Sequence, residues 1–228
     1  MNELIKTESD VENFEKNLSS YSKSKTGTDL PYLNLVTAFQ KFSKYDIHGK
    51  RTFTALMDLK LNFIALLVEN FLSGAIWNNQ NNIKNDESNN ILENPSLFIQ
   101  RIEIHHLNSN YIVRYRAMWD KIMGFFVLFD SEEKFKIFNS SKSRKKAFKK
   151  LADEIDFLDP EYVNNILGHI QSFDDKFRTS EVHRFGSLRK YSFLENPFDK
   201  PEFIELRDSW NYLLDTLTEI DKIISAVK

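Results

Sequence analysis

Phe203-Ile204-Glu205-Leu206-Arg207-Asp208-Ser209-Trp210-Asn211-Tyr212-Leu213-Leu214-Asp215-Thr216-Leu217-Thr218-Glu219-Ile220-Asp221-Lys222-Ile223-Ile224 decides the fold. Its apolar positions Phe203, Leu206, Trp210, Leu213, Leu217, Ile220 and Ile224 step 3, 4, 3, 4, 3, 4. That rhythm draws one apolar stripe along one side of a helix. It predicts a helix from about Pro201 to Val227. Helices of this length, each burying a single stripe, assemble as an up-and-down bundle.

The same rhythm recurs toward the N-terminus. Asp159-Pro160 starts a helix whose inner face is Tyr162, Val163, Ile166, Leu167, Ile170, Phe173 and Phe177. Ser141 to Ile155 predicts a basic helix with Ala147, Phe148 and Leu151 facing in. Between Tyr111 and Phe129, the set Ile112, Tyr115, Trp119, Ile122, Phe126 and Phe129 forms a bundle-type seam. Asn94-Pro95 reads as an N-cap with a first-turn proline. Thr52 to Trp77 carries a further face that includes Phe53, Leu56, Leu61, Ile64, Val68, Phe71 and Leu72. Asp29 is a candidate N-cap, with Pro31 after it and Leu35, Phe39 and Phe42 at helical spacing. Residues 8–19 form a short helix. Asn78 to Asn94 is rich in Asn, Asp, Glu and Ser without periodicity, which predicts a long mobile loop at 78–94. Gly186, Pro197 and Pro201 mark a break. No hairpin signal or internal repeat stands out. The expected fold is all-α, a single helical domain over 1–228 with extra helices around the bundle and residues 1–28 as a peripheral arm.

Composition narrows the function. The 228 residues are 41% apolar with 20 Phe, enough for a large core, and only six Gly and five Pro interrupt regular structure. With no Cys, disulfides, thiolate metal sites and cysteine nucleophiles are excluded. Met1-Asn2-Glu3-Leu4-Ile5-Lys6 lacks the basic-then-apolar layout of a secretion signal. Leu61 to Trp77 is broken by Asn62, Glu69 and Asn70, so a buried helix is expected there and no membrane span. A cytoplasmic location follows as the expectation. Net charge is −2, yet Lys142, Arg144, Lys145, Lys146, Lys149 and Lys150 cluster. Such a cluster is either a solvated helix face or, if it lies near an anion site, a patch that steers phosphates.

One element suggests chemistry. Phe177-Arg178-Thr179-Ser180-Glu181-Val182-His183-Arg184 sets a guanidinium five residues before an imidazole. Arginine grips phosphate with two parallel hydrogen bonds, and histidine exchanges protons near neutral pH. Together they suffice for cleaving RNA without a metal. A second copy of this spacing, Arg101 to His106, is interrupted by Ile102 and Ile104, whose alternation reads as an extended piece or an irregular helix end. The Arg178 copy has a polar interior, follows an amphipathic helix and precedes Arg184, Arg189 and Lys190, which suits an exposed anion site better.

An all-α bundle with a late R-x4-H element resembles the HEPN superfamily (higher eukaryotes and prokaryotes nucleotide-binding). Arg178 and His183 match the family's motif, and Thr179 is its polar follower. The block Arg114 to Lys121 together with Phe177 to Phe185 also looks like a bacterial subgroup of similar length. The resemblance implies a metal-independent endoribonuclease of toxin or phage-defence type, with no cofactor. It also implies a homodimer in which two motif copies form one cleft, and an antitoxin or regulatory protein as a further partner. His183 would be the general base on a ribose 2′-hydroxyl and Arg178 the stabiliser of the phosphorane charge. Thr179, Glu181 and Arg184 would assist, and Arg189, Lys190, Arg144 and Lys145 would hold neighbouring phosphates. Toxins regulated by AMP transfer carry a tyrosine two residues after the histidine; here that residue is Phe185. In a straight helix five residues turn about 140°, so Arg178 and His183 share a site only if the helix ends between them or a second protomer contributes.

Other constellations are thinner. Glu103, His105 and His106 lack the ligand count of a metal site, and none is expected. Glu12 with Glu15, and Glu205 with Asp208, resemble carboxylate pairs of helical magnesium pyrophosphatases, yet such pairs are common on solvated faces. The main alternative to an enzyme is a non-catalytic helical module that binds RNA, a nucleotide or a protein through the same cations.

Overall fold

A computed structural model of the chain describes residues 5–29, 31–42, 47–83, 93–179 and 201–226. Every regular element among them is helical. They are α1 (Glu8–Thr26), α2 (Leu35–Phe42), α3 (Ile47–Ile83), α4 (Pro95–Asp130), α5 (Glu132–Ser140), α6 (Arg144–Ala152), α7 (Pro160–Phe173) and α8 (Pro201–Ala226). A five-residue π-helical turn, Asp174–Arg178, extends α7. No described helix is long and apolar enough to cross a membrane.

Four long helices make the bundle, and side-chain pairs fix their directions. Asp58 pairs with Lys121 and Glu69 with Arg114, so α3 and α4 run antiparallel. Phe126 meets Tyr162, Trp119 meets His169 and Tyr115 meets Phe173, so α4 and α7 are antiparallel too. Tyr111 reaches Ser209 while Trp119 reaches Tyr212, which sets α8 parallel to α4. The order is up, down, up, down. One core runs through all of it, with Phe63, Tyr115, Trp119, Ile122, Phe126, Ile166, Leu213, Leu217 and Ile220 fully buried. At roughly 25 cal/mol for each Å2 of apolar surface removed from water, these stripes dominate the favourable side of folding.

Caps explain several boundaries. Asp159 accepts from the Glu161 N–H at 2.9 Å, with Pro160 in the first turn, as its sequence predicts. Thr7 and Asp10 form a reciprocal capping box on α1, and Gly27 ends that helix in the left-handed conformation at φ 71°. Helix α1 therefore reaches Thr26 and not residue 19. The expected peripheral arm docks on α2 and α3, burying Val11, Ser22 and Thr26. Asp29 is not a cap. It pairs with Lys23 at 2.6 Å, while Asn34 accepts from the Thr37 N–H at the true start of α2.

The start of α2 is also clamped from a distance. Leu33, fully buried, sits at φ 57°, a conformation unfavourable for a branched side chain. Asp221 on α8 accepts from the N–H groups of Leu33 (2.8 Å) and Asn34 (3.2 Å), and Glu15 on α1 accepts from Leu35 (2.8 Å). Buried Lys60 on α3 donates to Glu15 at 2.5 Å and to the Leu33 carbonyl at 3.0 Å. Three helices, α1, α3 and α8, thus hold the strained Leu33 and the start of α2 in place. Burial raises the Asp221 carboxyl above its ordinary range, although its two N–H donors act the other way.

Four further expectations change. Asn78 to Ile83, assigned to the loop, continue α3; residues 84–92 lie outside the described residues. Phe71 and Leu72, placed on the inner face of that helix, are 43% and 39% exposed. The alternation of Ile102 and Ile104 lies inside α4, about two turns from its start, where helix overrides a short two-residue period. The basic helix is shorter than Ser141 to Ile155, and α5 precedes it, started by the Ser131 hydroxyl.

Candidate functional site

The π turn gives Arg178 its setting. Phe173 and Phe177 both point into the core, so the turn is anchored on its inner side. On the outer side Asp174 receives Arg116 through Nε at 3.0 and 3.1 Å, and Arg116 also donates to Asp120 at 2.7 Å. Burial alone would lower the Arg116 pKa; the Asp120 and Asp174 carboxylates overcome it and raise the group, so this buried arginine is a fixed cation. Arg178 meets the same Asp174 only loosely, at 3.7 Å, and its side chain is 44% exposed. Its guanidinium is held near the helix and open to solvent. π turns of this kind recur at functional positions. Thr179, half-buried, closes the turn through its N–H to the Asp174 carbonyl.

Cations gather on the same flank. Lys145 on α6 donates to Gln171, and Gln171 donates in turn to Asp175 at 2.8 Å. Gln171 lies two turns before Arg178, about 10 Å of helical rise, so the basic helix packs beside the arginine's own helix. Lys176 is exposed on the π turn itself. Arg144 lies over the Phe138 ring at 5.9 Å and donates to Asn139 at 3.4 Å, facing α5. Of the two α6 residues expected to bind phosphate, Lys145 faces this flank and Arg144 faces away.

His183, Glu181, Arg184, Arg189 and Lys190 lie outside the described residues. The competing Arg101 and His106 lie inside α4, where Arg101 is only 4% exposed. A buried guanidinium offers no open anion site. His106 is exposed and bonded to Asn110 at 3.1 Å. Among the described residues, no cluster of three His, Asp or Glu side chains is placed to hold a metal.

Sequence reasoning passed over a polar cluster beside the π turn. Tyr115 Oη lies 2.7 Å from His169 Nε2 and 2.6 Å from the Ser209 carbonyl. A carbonyl only accepts, so the single phenol proton goes to Ser209. The imidazole must then donate from Nε2, which fixes a neutral tautomer with its lone pair on Nδ1. Tyr111 pairs with the Ser209 hydroxyl at 3.3 Å. The His169 ring stacks on Tyr212 at 4.1 Å and 19°. Burial pushes its pKa down to about 4. The usable signal was spacing, because Ile166, His169 and Phe173 step 3 and 4 and so place a histidine on the seam of α7.

That depressed pKa makes a pH prediction. In the unfolded chain His169 protonates near pH 6.5; in the fold it stays neutral down to about pH 4. Its contribution to stability is therefore complete above pH 6.5 and lost as pH falls toward 4. Full desolvation would make the loss about 3 kcal/mol; partial exposure reduces it to about 1–2 kcal/mol. Urea unfolding at pH 7 and pH 4.5 should show this drop, and His169→Gln should flatten it. An equal drop in the variant would assign the effect to other groups.

Comparison with known proteins adds no identity: no family model, no curated protein and no solved structure matches this chain. What the fold and the site define is an all-α bundle with an anchored, solvent-facing arginine on a π turn.

Proposed function

We propose that this protein is a metal-independent endoribonuclease of the HEPN type, with Arg178 binding the scissile phosphate and His183 acting as general base. The observation that carries the reading is the Arg178 guanidinium, open to solvent on a π turn that a buried Arg116–Asp174 pair holds rigid. Its neighbours Lys176 and Lys145 add two cations to a flank that also carries Asp174 and Asp175.

In this reaction His183 takes the proton of the 2′-hydroxyl and the 2′-oxygen attacks phosphorus. Negative charge builds on the non-bridging oxygens, where Arg178 donates two hydrogen bonds. The bond to the 5′-oxygen breaks, that oxygen takes a proton from water, and the His183 imidazolium returns its proton to the solvent. The products are a 2′,3′-cyclic phosphate and a 5′-hydroxyl. Two protomers sharing one cleft would bring Arg178 and His183 together, and a regulatory protein would restrain the activity. The alternative, a module that binds RNA without cutting it, uses the same cations and lacks the proton transfer.

Incubation of the purified protein with total RNA in EDTA tests the reading. Fragments ending in 2′,3′-cyclic phosphate are expected from the wild type and none from His183→Ala. Equal cleavage by both proteins would remove His183 from the chemistry, and binding without cleavage by the wild type would establish the module.

A further inference from the structure

Residues 134–152, the second half of α5 with the turn and all of α6, hold eight Lys and Arg and no Asp or Glu, in a chain whose net charge is −2. Lys134 is paired with Asp130 and Glu154. None of Lys142, Arg144, Lys146, Lys149 and Lys150 has an ion pair with a described residue, and the described partner of Lys145 is the neutral Gln171. Phe148, Leu151 and Ala152 turn α6 toward the core. At about 100° per residue, Lys146, Lys149 and Lys150 fall on the opposite side, and all three are exposed. Acids border this face: Glu133 before it, Asp153 at its far end, and Asp175 across Gln171. The cations outnumber them.

These cations work against their own helix. A helix start favours acids, yet the first turn of α6 is Arg144, Lys145 and Lys146, with no side-chain cap from Ser143. Lys145 with Lys149, and Lys146 with Lys150, set like charges four residues apart, where they repel. The helix stands because its apolar side is buried. Local rules broken without a compensating partner inside the fold are the mark of a surface that serves a ligand.

The complementary ligand carries repeated negative charge. An interfacial membrane helix needs apolar side chains to insert, and those of α6 face the core. A nucleic-acid strand carries a phosphate on every nucleotide and is held by cations alone. Steps of three and four residues along α6 space the ammonium groups by about 4.5–6 Å, so several phosphates of one strand can be neutralised together.

We infer that the outer face of α6 is a docking surface for the phosphodiester backbone of RNA, with Lys146, Lys149 and Lys150 neutralising phosphates irrespective of sequence. The choice of RNA rests on the function proposed above. Lys145, on the flank of this face, bonds Gln171, about 10 Å of helical rise before Arg178, so a docked strand lies within a few nucleotides of the arginine.

Fluorescence anisotropy with a labelled 2′-O-methyl oligouridylate, which has no 2′-hydroxyl to react, provides the test across a range of salt concentrations. Three or more contacts should give a log–log salt slope of about −2 or steeper. Lys146→Gln, Lys149→Gln and Lys150→Gln together should make the slope shallower by about 2 and weaken binding about 10- to 100-fold near ~0.1 M salt. The unfolding midpoint should hold or rise, because repulsion within α6 is relieved. The same charge change at Lys6, Lys16 and Lys25, exposed beside and on α1, should alter binding far less. No saturable binding, a slope unmoved by the α6 triple variant, an equal loss from the α1 triple variant, or a preference for vesicles containing phosphatidylserine would each overturn the surface. Such binding without cleavage of natural RNA in EDTA would keep the surface and remove the nuclease. Cleavage without such binding would do the reverse.

Discussion

Replacing Arg178 with alanine is expected to lower RNA cleavage about 100- to 1,000-fold, the usual loss when a donor to developing oxyanion charge is removed. The fold should not notice. Arg178 is exposed and its only described ion pair, to Asp174, is 3.7 Å long, so the unfolding midpoint should stay within experimental error. Arg178→Lys keeps the charge but loses the two-pronged grip, and should recover only part of the rate. Single-turnover cleavage with excess protein is the measurement, since it separates chemistry from release. Wild-type rates in Arg178→Ala would take the arginine out of the reaction.

The second large effect is on stability. Glu15→Ala should cost about 3 kcal/mol, because it strips a buried ammonium of its carboxylate and leaves the Leu35 N–H without its acceptor. Lys60 is almost enclosed, so water compensates poorly. Glu15→Gln retains an acceptor for the backbone and should cost less. Urea unfolding at pH 7 distinguishes the two variants; equal, negligible losses would show that the clamp on Leu33 contributes nothing.

The long-range parts of this structure were the least legible in the sequence. The stripe Leu206, Leu213, Leu217, Ile220, Ile224 is periodic, so α8 could be read directly; the same holds for Ile112 to Phe126 and for the Asp159 cap. These signals are local. The clamp of Glu15, Lys60 and Asp221 joins three helices to the start of α2, and no spacing rule relates its members. Asp29 looked like a cap because it precedes a proline, yet partners on α1 were available to it. Nothing in Asp174-Asp175-Lys176-Phe177-Arg178 announces a π turn, since Phe173 and Phe177, four residues apart, would share one face of an ordinary α-helix as well. Of the side chains placed around the candidate site, Arg178 and Lys145 were among those the sequence offered as candidates. It missed Arg116, read as part of a pattern rather than as a support, and His169, which was hidden among the apolar residues of its seam.

Asp174 serves two arginines, one enclosed and one loose. A carboxylate with a single cation would be stranded when an incoming anion drew that cation away. Here Arg116 remains behind, so Arg178 can change partners without abandoning an unneutralised charge in the protein. If Arg178 binds phosphate as proposed, the phosphate has only that weak hold to outcompete.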